Sequence, residues 1–197
     1  DHYHGPTLRF FEKNKPKILL PKSCTKRMIN DMKKFFRFKN IEELSHGKEY
    51  LLSNDFKLTS YQFNPIIIDS ALSIEVGGIK MLNANDSKTF GLSLKQITSK
   101  FKYFDFIFRS HSSATQIPHC INKNEEFGFQ REPLEYTNEF LAFSPKVNAK
   151  YAVPFASSHI YLHKDSIKFN YLYNSPLDVL NESKKRNFSD SIIKLMP

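Results

Sequence analysis

Two consecutive glycines between two apolar runs constrain the fold of this chain more than any other feature. Residues 71–76 and 79–82 are rich in aliphatic side chains, and Gly77 and Gly78 separate them. A two-residue connection between antiparallel strands requires positive φ angles, which glycine adopts at little cost. We therefore predict an antiparallel β-hairpin inside a sheet, which excludes an all-helical fold.

Helical and strand patterns alternate along the rest of the chain. Capping residues and near-helical spacing of apolar side chains predict helices near residues 6–11, 23–36, 93–101, 136–143 and 176–184. Short apolar or alternating runs predict strands at residues 18–20, 56–63, 104–108 and 151–155. We expect 56–63 to be buried on one face and 104–108 on both. This order indicates an α/β layered fold with one domain, residues 1–197, because 197 residues with 40% hydrophobic content can bury one core.

A carboxylate follows the second strand of the predicted hairpin. The apolar residues up to Leu82 run into Asn83, Asn85 and Asp86, and loops at strand ends are a usual place for catalytic groups. The same stretch is also ordinary turn chemistry, in which Asn and Asp side chains bond the local backbone. From the residues alone, the turn is the better interpretation of Asp86.

Histidines follow two other predicted strands. A loop of small hydroxyl residues with His111 comes after residues 104–108, and His159 and His163 come after residues 151–155. Neutral imidazole is a common ligand of zinc and iron. His159 and His163 would share one face if their segment were helical. The adjacent His119 and Cys120 would need a special turn to bind one ion, so we do not take them as ligands.

Four separated blocks resemble the metallo-β-lactamase superfamily in the same order, most closely its branch containing CMP-N-acetylneuraminate hydroxylase. The blocks are DHYHGPTLRFFEKNKPKILLP, IIIDSALSIEVGGIKMLNANDSK, FIFRSHSSATQIPHC and YAVPFASSHIYLHKDS. The resemblance implies a metallo-β-lactamase-like αββα layered sandwich, with two sheets between helices. It also implies that the N-terminal strands of that fold are missing, because Asp1 and His2 resemble the second half of a His-x-His-x-Asp-His signature.

The resemblance further implies a divalent metal, with zinc as the first expectation and iron or manganese as alternatives. Asp1 would hold or orient the reacting water, and the metal ligands would be Asp1, His2, Asp86 and one of His159 or His163. The loop after residues 104–108 resembles one that contacts substrate, through His111, Ser112, Ser113, Thr115 and Gln116. A histidine that the family carries just before residues 69–71 is absent. The matched set therefore suits a single metal.

The net charge of +9 comes from one segment. Residues 13–39 hold ten Lys or Arg against one acid, whereas the remaining chain has nineteen of each sign. A basic face could attract the phosphates of a nucleotide or nucleic acid. Its members would be Lys22, Lys26, Arg27, Lys33, Lys34, Arg37 and Lys39. A solvated helix face is the commoner outcome for such a run, so nucleic acid is an alternative partner and not the favoured one.

Compartment and function follow as expectations. The sequence has no basic-then-apolar leader and no apolar run of about 18 residues, so we expect no membrane contact. Its two distant cysteines, Cys24 and Cys120, favour a reducing, cytoplasmic location. The resemblance implies a metal-dependent hydrolase acting on a phosphoester, ester or lactone. Its substrate would be a small anion related to a nucleotide-sugar or polysaccharide. The alternative is a catalytically defective fragment or a basic binding module for an anionic partner.

Overall fold

The chain alternates helices with strands, as the sequence predicts. The structure is a computed structural model that describes residues 4–62, 69–87, 89–113, 131–157 and 160–188. The strands are β1 Ile18–Pro21, β2 Ile41–Leu44, β3 Glu49–Ser53, β4 Phe56–Gln62, β5 Ser70–Val76, β6 Ile79–Asn85, β7 Phe104–Arg109 and β8 Ala149–Pro154. The helices are α1 Gly5–Phe10, α2 Arg27–Asn30 with a π-helical turn Asp31–Phe35, α3 Gly91–Lys100, α4 Pro133–Lys146, a 3-10 helix Ile167–Leu172 and α5 Pro176–Lys185. None of these helices is long and apolar enough to cross a membrane.

Six strands form one mixed sheet in the order β3-β4-β5-β6-β7-β8. The predicted hairpin is confirmed: β5 and β6 pair antiparallel, with Val76 opposite Ile79. Gly77 and Gly78 connect them with φ angles of 55° and 80°, the positive pair that a tight hairpin turn requires. β1 and β2 form a separate parallel pair.

The other half of the large sheet is parallel, because β6, β7 and β8 all run in the same direction. Helix α3 connects β6 to β7, and α4 lies in the chain between β7 and β8. Ile97 of α3 and Phe140 of α4 are fully buried in one core with Leu82 and Ile107 of the sheet. Parallel strands that are covered in this way place all their carboxyl ends at one edge of the sheet.

Strand β4 differs from its prediction of one buried face. Residues 58–62 are all buried, because β4 pairs with β3 and β5 and α3 contacts it. The Ser93 hydroxyl of α3 donates to the Gln62 carbonyl at 2.7 Å, and the Lys100 ammonium reaches the Thr59 hydroxyl at 3.2 Å. Tertiary packing thus buries polar residues that an alternating pattern would place in water, although the Ser60 and Tyr61 hydroxyls find no hydrogen-bond partner among the described residues.

The second helix begins later than the sequence indicates. Ser23 is not its cap; instead the Ser23 hydroxyl accepts the Thr25 N–H at 3.3 Å in a local turn. The helix starts after Lys26, which has a φ of 54°. Met32 and Phe36 of the following turn pack with Leu20 in a second, smaller core.

Candidate functional site

A cleft of about 290 Å³ opens where the three parallel strands end. The segments that follow β6, β7 and β8 meet there, which is the usual ligand-binding edge of an open α/β sheet. The start of α4 and the residue before β5 complete the wall. The lining residues are Asp69, Asp86, Ser87, Arg109, Ser110, Ser112, Ser113, Arg131, Tyr136, Glu139 and Ser157.

Two carboxylates, of Asp69 and Asp86, line the cleft. Asp86 is half-buried directly after β6. Its neighbour Asn85 has a φ of 40° and accepts the Ser87 N–H on Oδ1 at 2.8 Å. The Asn85 amide also donates to the Ser70 carbonyl at 3.1 Å. The turn chemistry and the site are therefore both present, since the turn at Asn85 places Asp86 at the cleft.

Two guanidinium groups, of Arg109 and Arg131, also line the cleft. Glu139 bridges them, with Arg109 Nη2 and Arg131 Nη1 each 2.8 Å from one of its carboxylate oxygens. The Arg109 side chain is only 7% exposed and lies 4.1 Å from the Phe143 ring centre. Burial lowers the pKa of Arg109, and the charge of Glu139 opposes that shift.

Ser157, after β8, holds the loop that follows β7. Its hydroxyl oxygen accepts the His111 N–H at 2.9 Å and the Ser112 N–H at 3.1 Å. The same hydroxyl lies 3.1 Å from His111 Nδ1. Since its oxygen already accepts two hydrogen bonds, we assign its proton to the bond with Nδ1, which requires a neutral imidazole. Burial lowers the pKa of His111 to about 4, in agreement with that assignment.

The structure places the predicted substrate loop at the cleft in part. Ser112 and Ser113 line it, and the Ser112 hydroxyl accepts the Asn174 N–H at 2.8 Å. His111 is fully buried and is not a lining residue; it bonds to the lining residue Ser157. Thr115 and Gln116 lie outside the described residues.

The predicted metal ligands are only partly visible in the structure. Asp86 lines the cleft, whereas the predicted positions Asp1, His2 and His159 lie outside the described residues. His163 is 62% exposed, with Nδ1 3.6 Å from a carboxylate oxygen of Asp165, and is not a lining residue. Within the described ranges, no three His, Cys, Asp or Glu side chains are grouped to hold a metal. The ligand set stays a prediction.

The basic segment, residues 13–39, is partly neutralised by the strand β2. Lys17 lies 2.8 Å from a Glu42 carboxylate oxygen, and Lys26 lies 2.6 Å from one of Glu43. Hydrogen bonds from Lys17 and Tyr50 lower the pKa of Glu42. Of the seven predicted members of a basic face, Lys26 is thus paired with β2, and a phosphate-binding surface stays a prediction.

Arg109, Arg131 and Glu139 are the main lining residues that sequence reasoning missed. Arg109 did carry a signal, because it is a charged residue at the end of the apolar strand Phe104–Arg109. Arg131 and Glu139 carried none, since both belong to a stretch of chain that resembles no family motif.

Comparison with known proteins identifies the fold and nothing finer. A scan against protein-family models gave no match, and a search of curated proteins gave none. Among solved structures, a variant of the β-hydroxylase CmlA matches with a TM-score of 0.60 at 11% identity, over 92% of this chain and 38% of its own. CmlA from Streptomyces venezuelae, a diiron β-hydroxylase, matches with a TM-score of 0.56 at 11% identity, over 91% of this chain and 38% of CmlA. The chain thus spans little more than a third of the length of CmlA.

A candidate metal-dependent hydrolase from Parabacteroides distasonis matches with a TM-score of 0.50 at 10% identity, over 91% of this chain and 63% of that protein. The fold is of the metallo-β-lactamase type. The predicted α/β class is thereby confirmed. The described residues form one six-stranded sheet and the separate β1–β2 pair, so the sandwich of two sheets between helices and the missing N-terminal strands stay predictions. None of these metallo-β-lactamase-type neighbours identifies the CMP-N-acetylneuraminate hydroxylase branch, which stays a prediction.

Proposed function

We propose that this chain carries the site of a metal-dependent hydrolase with a metallo-β-lactamase-type fold. The observation that supports the proposal most directly is Asp86, which leaves the end of β6 and lines a cleft together with Asp69. Both carboxylates stand where open α/β sheets bind ligands. The fold of the CmlA and Parabacteroides proteins, whose names give them a diiron centre and a metal dependence, supports the same proposal.

The donors present suit a divalent metal in part. Asp69 and Asp86 would hold it through carboxylate oxygens, which zinc, manganese and iron all accept. Nitrogen ligands would come from the predicted His2 and His159, because His163 is exposed and does not line the cleft, with Asp1 as the further carboxylate. A divalent metal bound there would lower the pKa of its water to about 7. We propose zinc as the first candidate metal.

The remaining residues of the cleft bind and orient the substrate. Ser112 and Ser113 offer hydroxyl groups on one loop, and Tyr136 offers a phenol from α4. Ser157 fixes that loop by accepting two backbone N–H groups. We propose a phosphoester, ester or lactone as the bond cleaved. We further propose that the substrate is a nucleotide-sugar or polysaccharide-related anion, which the resemblance to the branch containing CMP-N-acetylneuraminate hydroxylase favours.

Metal analysis of the purified protein tests the proposal. Metal is removed from the protein with a chelator, and zinc, manganese or iron is then added separately. The bound metal content of the parent protein is compared with that of Asp86→Asn and Asp55→Asn. Asp86→Asn keeps the side-chain shape and loses the charge. Asp55 is the matched control, since it lies in the β3–β4 turn and accepts the Ser53 hydroxyl there.

We expect the parent protein and Asp55→Asn to retain one metal equivalent and Asp86→Asn to lose it. Hydrolysis of a generic phosphodiester should follow the metal content. Equal metal retention by Asp86→Asn would remove Asp86 from the site. If no metal binds while nucleic acid binds with steep salt dependence, the basic binding module is the better description.

A further inference from the structure

We propose that Arg109 and Arg131 form an oxyanion-binding subsite in the cleft, so that the substrate carries a phosphate or carboxylate group at that position. This subsite rests on the proposed function, because it specifies a group that the substrate of the proposed hydrolase would carry. It does not depend on the metal, because the two arginines and Glu139 are a separate set of lining residues from Asp69 and Asp86.

Arg109 has hydrogen-bonding capacity that the described residues do not use. Its Nη2 donates to Glu139 at 2.8 Å, whereas its enclosed Nη1 has no hydrogen-bond partner in the described part of the chain. An unmatched buried donor on a charged group is costly, and native structures commonly satisfy such groups with a ligand, ion or water. Because Nη1 is itself closed to solvent, a ligand oxygen in the cleft would become the missing acceptor after the side chains around Arg109 shift.

The position of the guanidinium also favours a ligand over a purely structural role. Arg109 is the last residue of β7, at the edge where the cleft opens. Its planar group lies 4.1 Å from the Phe143 ring centre, so stacking and the Glu139 contact fix its orientation from two sides. A guanidinium held in this way presents a rigid pair of donors, which matches the two oxygens of a carboxylate or phosphate.

Arg131 supplies the second cation from the residues just before α4. It lies 4.5 Å from the Tyr136 ring centre, and its Nη1 and Nε lie 2.8 Å and 3.3 Å from Glu139 and Glu135 oxygens. Those hydrogen bonds raise the pKa of Arg131, so it remains charged. Its side chain is 41% exposed, which leaves it accessible to a ligand.

Glu139 leaves some N–H donors of the pair unused. It contacts both guanidinium groups, and Glu135 contacts Arg131 as well, so the charges balance and an oxyanion would be held by N–H donors and not by excess positive charge. Five donor N–H groups on each arginine exceed what one carboxylate can accept. Glu139 therefore holds both arginines in place beside the cleft, and an oxyanion can bind to the donors that remain.

Anion titration calorimetry on metal-free, chelator-treated protein tests the subsite. Inorganic phosphate and acetate are titrated separately, so that the result shows whether the subsite binds a phosphate or a carboxylate group. The variants are Arg131→Gln, which removes an exposed charge, and Arg109→Lys, which keeps the charge and loses the planar fork. Arg186→Gln is the matched control, because Arg186 pairs with Glu182 at i, i+4 on the helix end, as Arg131 pairs with Glu135.

We expect one phosphate or acetate per parent chain, with affinity reduced at least tenfold in Arg131→Gln and in Arg109→Lys and unchanged in Arg186→Gln. Circular dichroism melts show which variants fold. If Arg109→Lys does not fold, the anion affinity of Arg131→Gln is the deciding measurement. Unchanged affinity in Arg131→Gln, an equal loss in Arg186→Gln, or no saturable anion binding by the parent overturns the subsite.

Asp86→Asn separates this inference from the proposed function. It should abolish metal retention and, in metal-free protein, tighten anion binding, because it removes a like charge from the same cleft. Loss of metal with anion binding kept supports the subsite alone. If metal is retained by the parent while neither anion binds, the hydrolase proposal stands and the subsite is wrong.

Discussion

Replacing Ser157 by alanine should destabilise the protein although it removes a single oxygen atom. That oxygen accepts the N–H groups of His111 and Ser112, and both residues are buried. Each buried donor left without a partner costs about 1–3 kcal/mol. Water entering from the cleft can satisfy part of the loss, so we expect Ser157→Ala to lower the free energy of unfolding by about 2 to 4 kcal/mol.

Ser144→Ala is the matched control for this prediction. Ser144 is equally buried on α4, yet its hydroxyl has no hydrogen-bond partner in the described residues. Removing it deletes an unsatisfied polar atom and places a better helix former, so the change should be neutral or stabilising by about 0.5 kcal/mol.

The two variants are compared by urea denaturation followed with far-ultraviolet circular dichroism, because the chain has no tryptophan for fluorescence. Equal slopes on urea concentration would show that the unfolding reaction is the same in both. A Ser157→Ala protein that is as stable as Ser144→Ala would refute the assignment of Ser157 as the acceptor that holds the loop.

Two further predictions use the same measurement. His111 has a pKa of about 4 in the folded protein against 6.5 when unfolded, so both states are neutral above about pH 6.5 and only the unfolded state gains the proton as the pH falls. The free energy of unfolding should fall by up to about 3 kcal/mol between pH 6.5 and 4, and this part of the slope should be absent in His111→Asn. Gly78→Ala should lower the free energy of unfolding by about 1 kcal/mol through backbone strain alone, because Gly78 has a φ of 80° and an added Cβ meets nothing within 4 Å. An unchanged midpoint of urea denaturation would contradict the hairpin geometry.

The elements that the sequence predicts well are those whose signals are local. The glycine pair fixes the β5–β6 hairpin by itself, and the capping residues of α5 are also local, with Ser175 and Asp178 bonding each other's backbone N–H groups. Strands β2 and β3 went unpredicted because they are only four and five residues long and show no clear alternation of apolar and polar residues. Glu42 and Glu43 are tolerated in β2 since Lys17 and Lys26 pair with them, which only the folded chain reveals.

The candidate site also contains residues that the sequence predicts and residues that it does not. Asp86, Ser112 and Ser113 were predicted through the resemblance to the metallo-β-lactamase superfamily, together with their positions after apolar strands, and all three line the cleft. Arg131 and Arg109 meet at Glu139 although more than twenty residues separate them in sequence. No periodicity or spacing indicates such a contact, because helix α4 creates it by packing against the sheet.

The charges of the cleft connect the two proposals. Its lining holds three carboxylates, of Asp69, Asp86 and Glu139, against the two guanidiniums of Arg109 and Arg131, so the formal balance is one negative charge. A divalent cation at the aspartates would reverse that sign and strengthen the attraction of the arginines for an oxyanion. Linkage requires the converse as well, so a bound oxyanion must strengthen metal binding by the same factor. Metal titrations with and without phosphate should therefore show matching shifts, and independent affinities would mean that the two groups do not share one cleft.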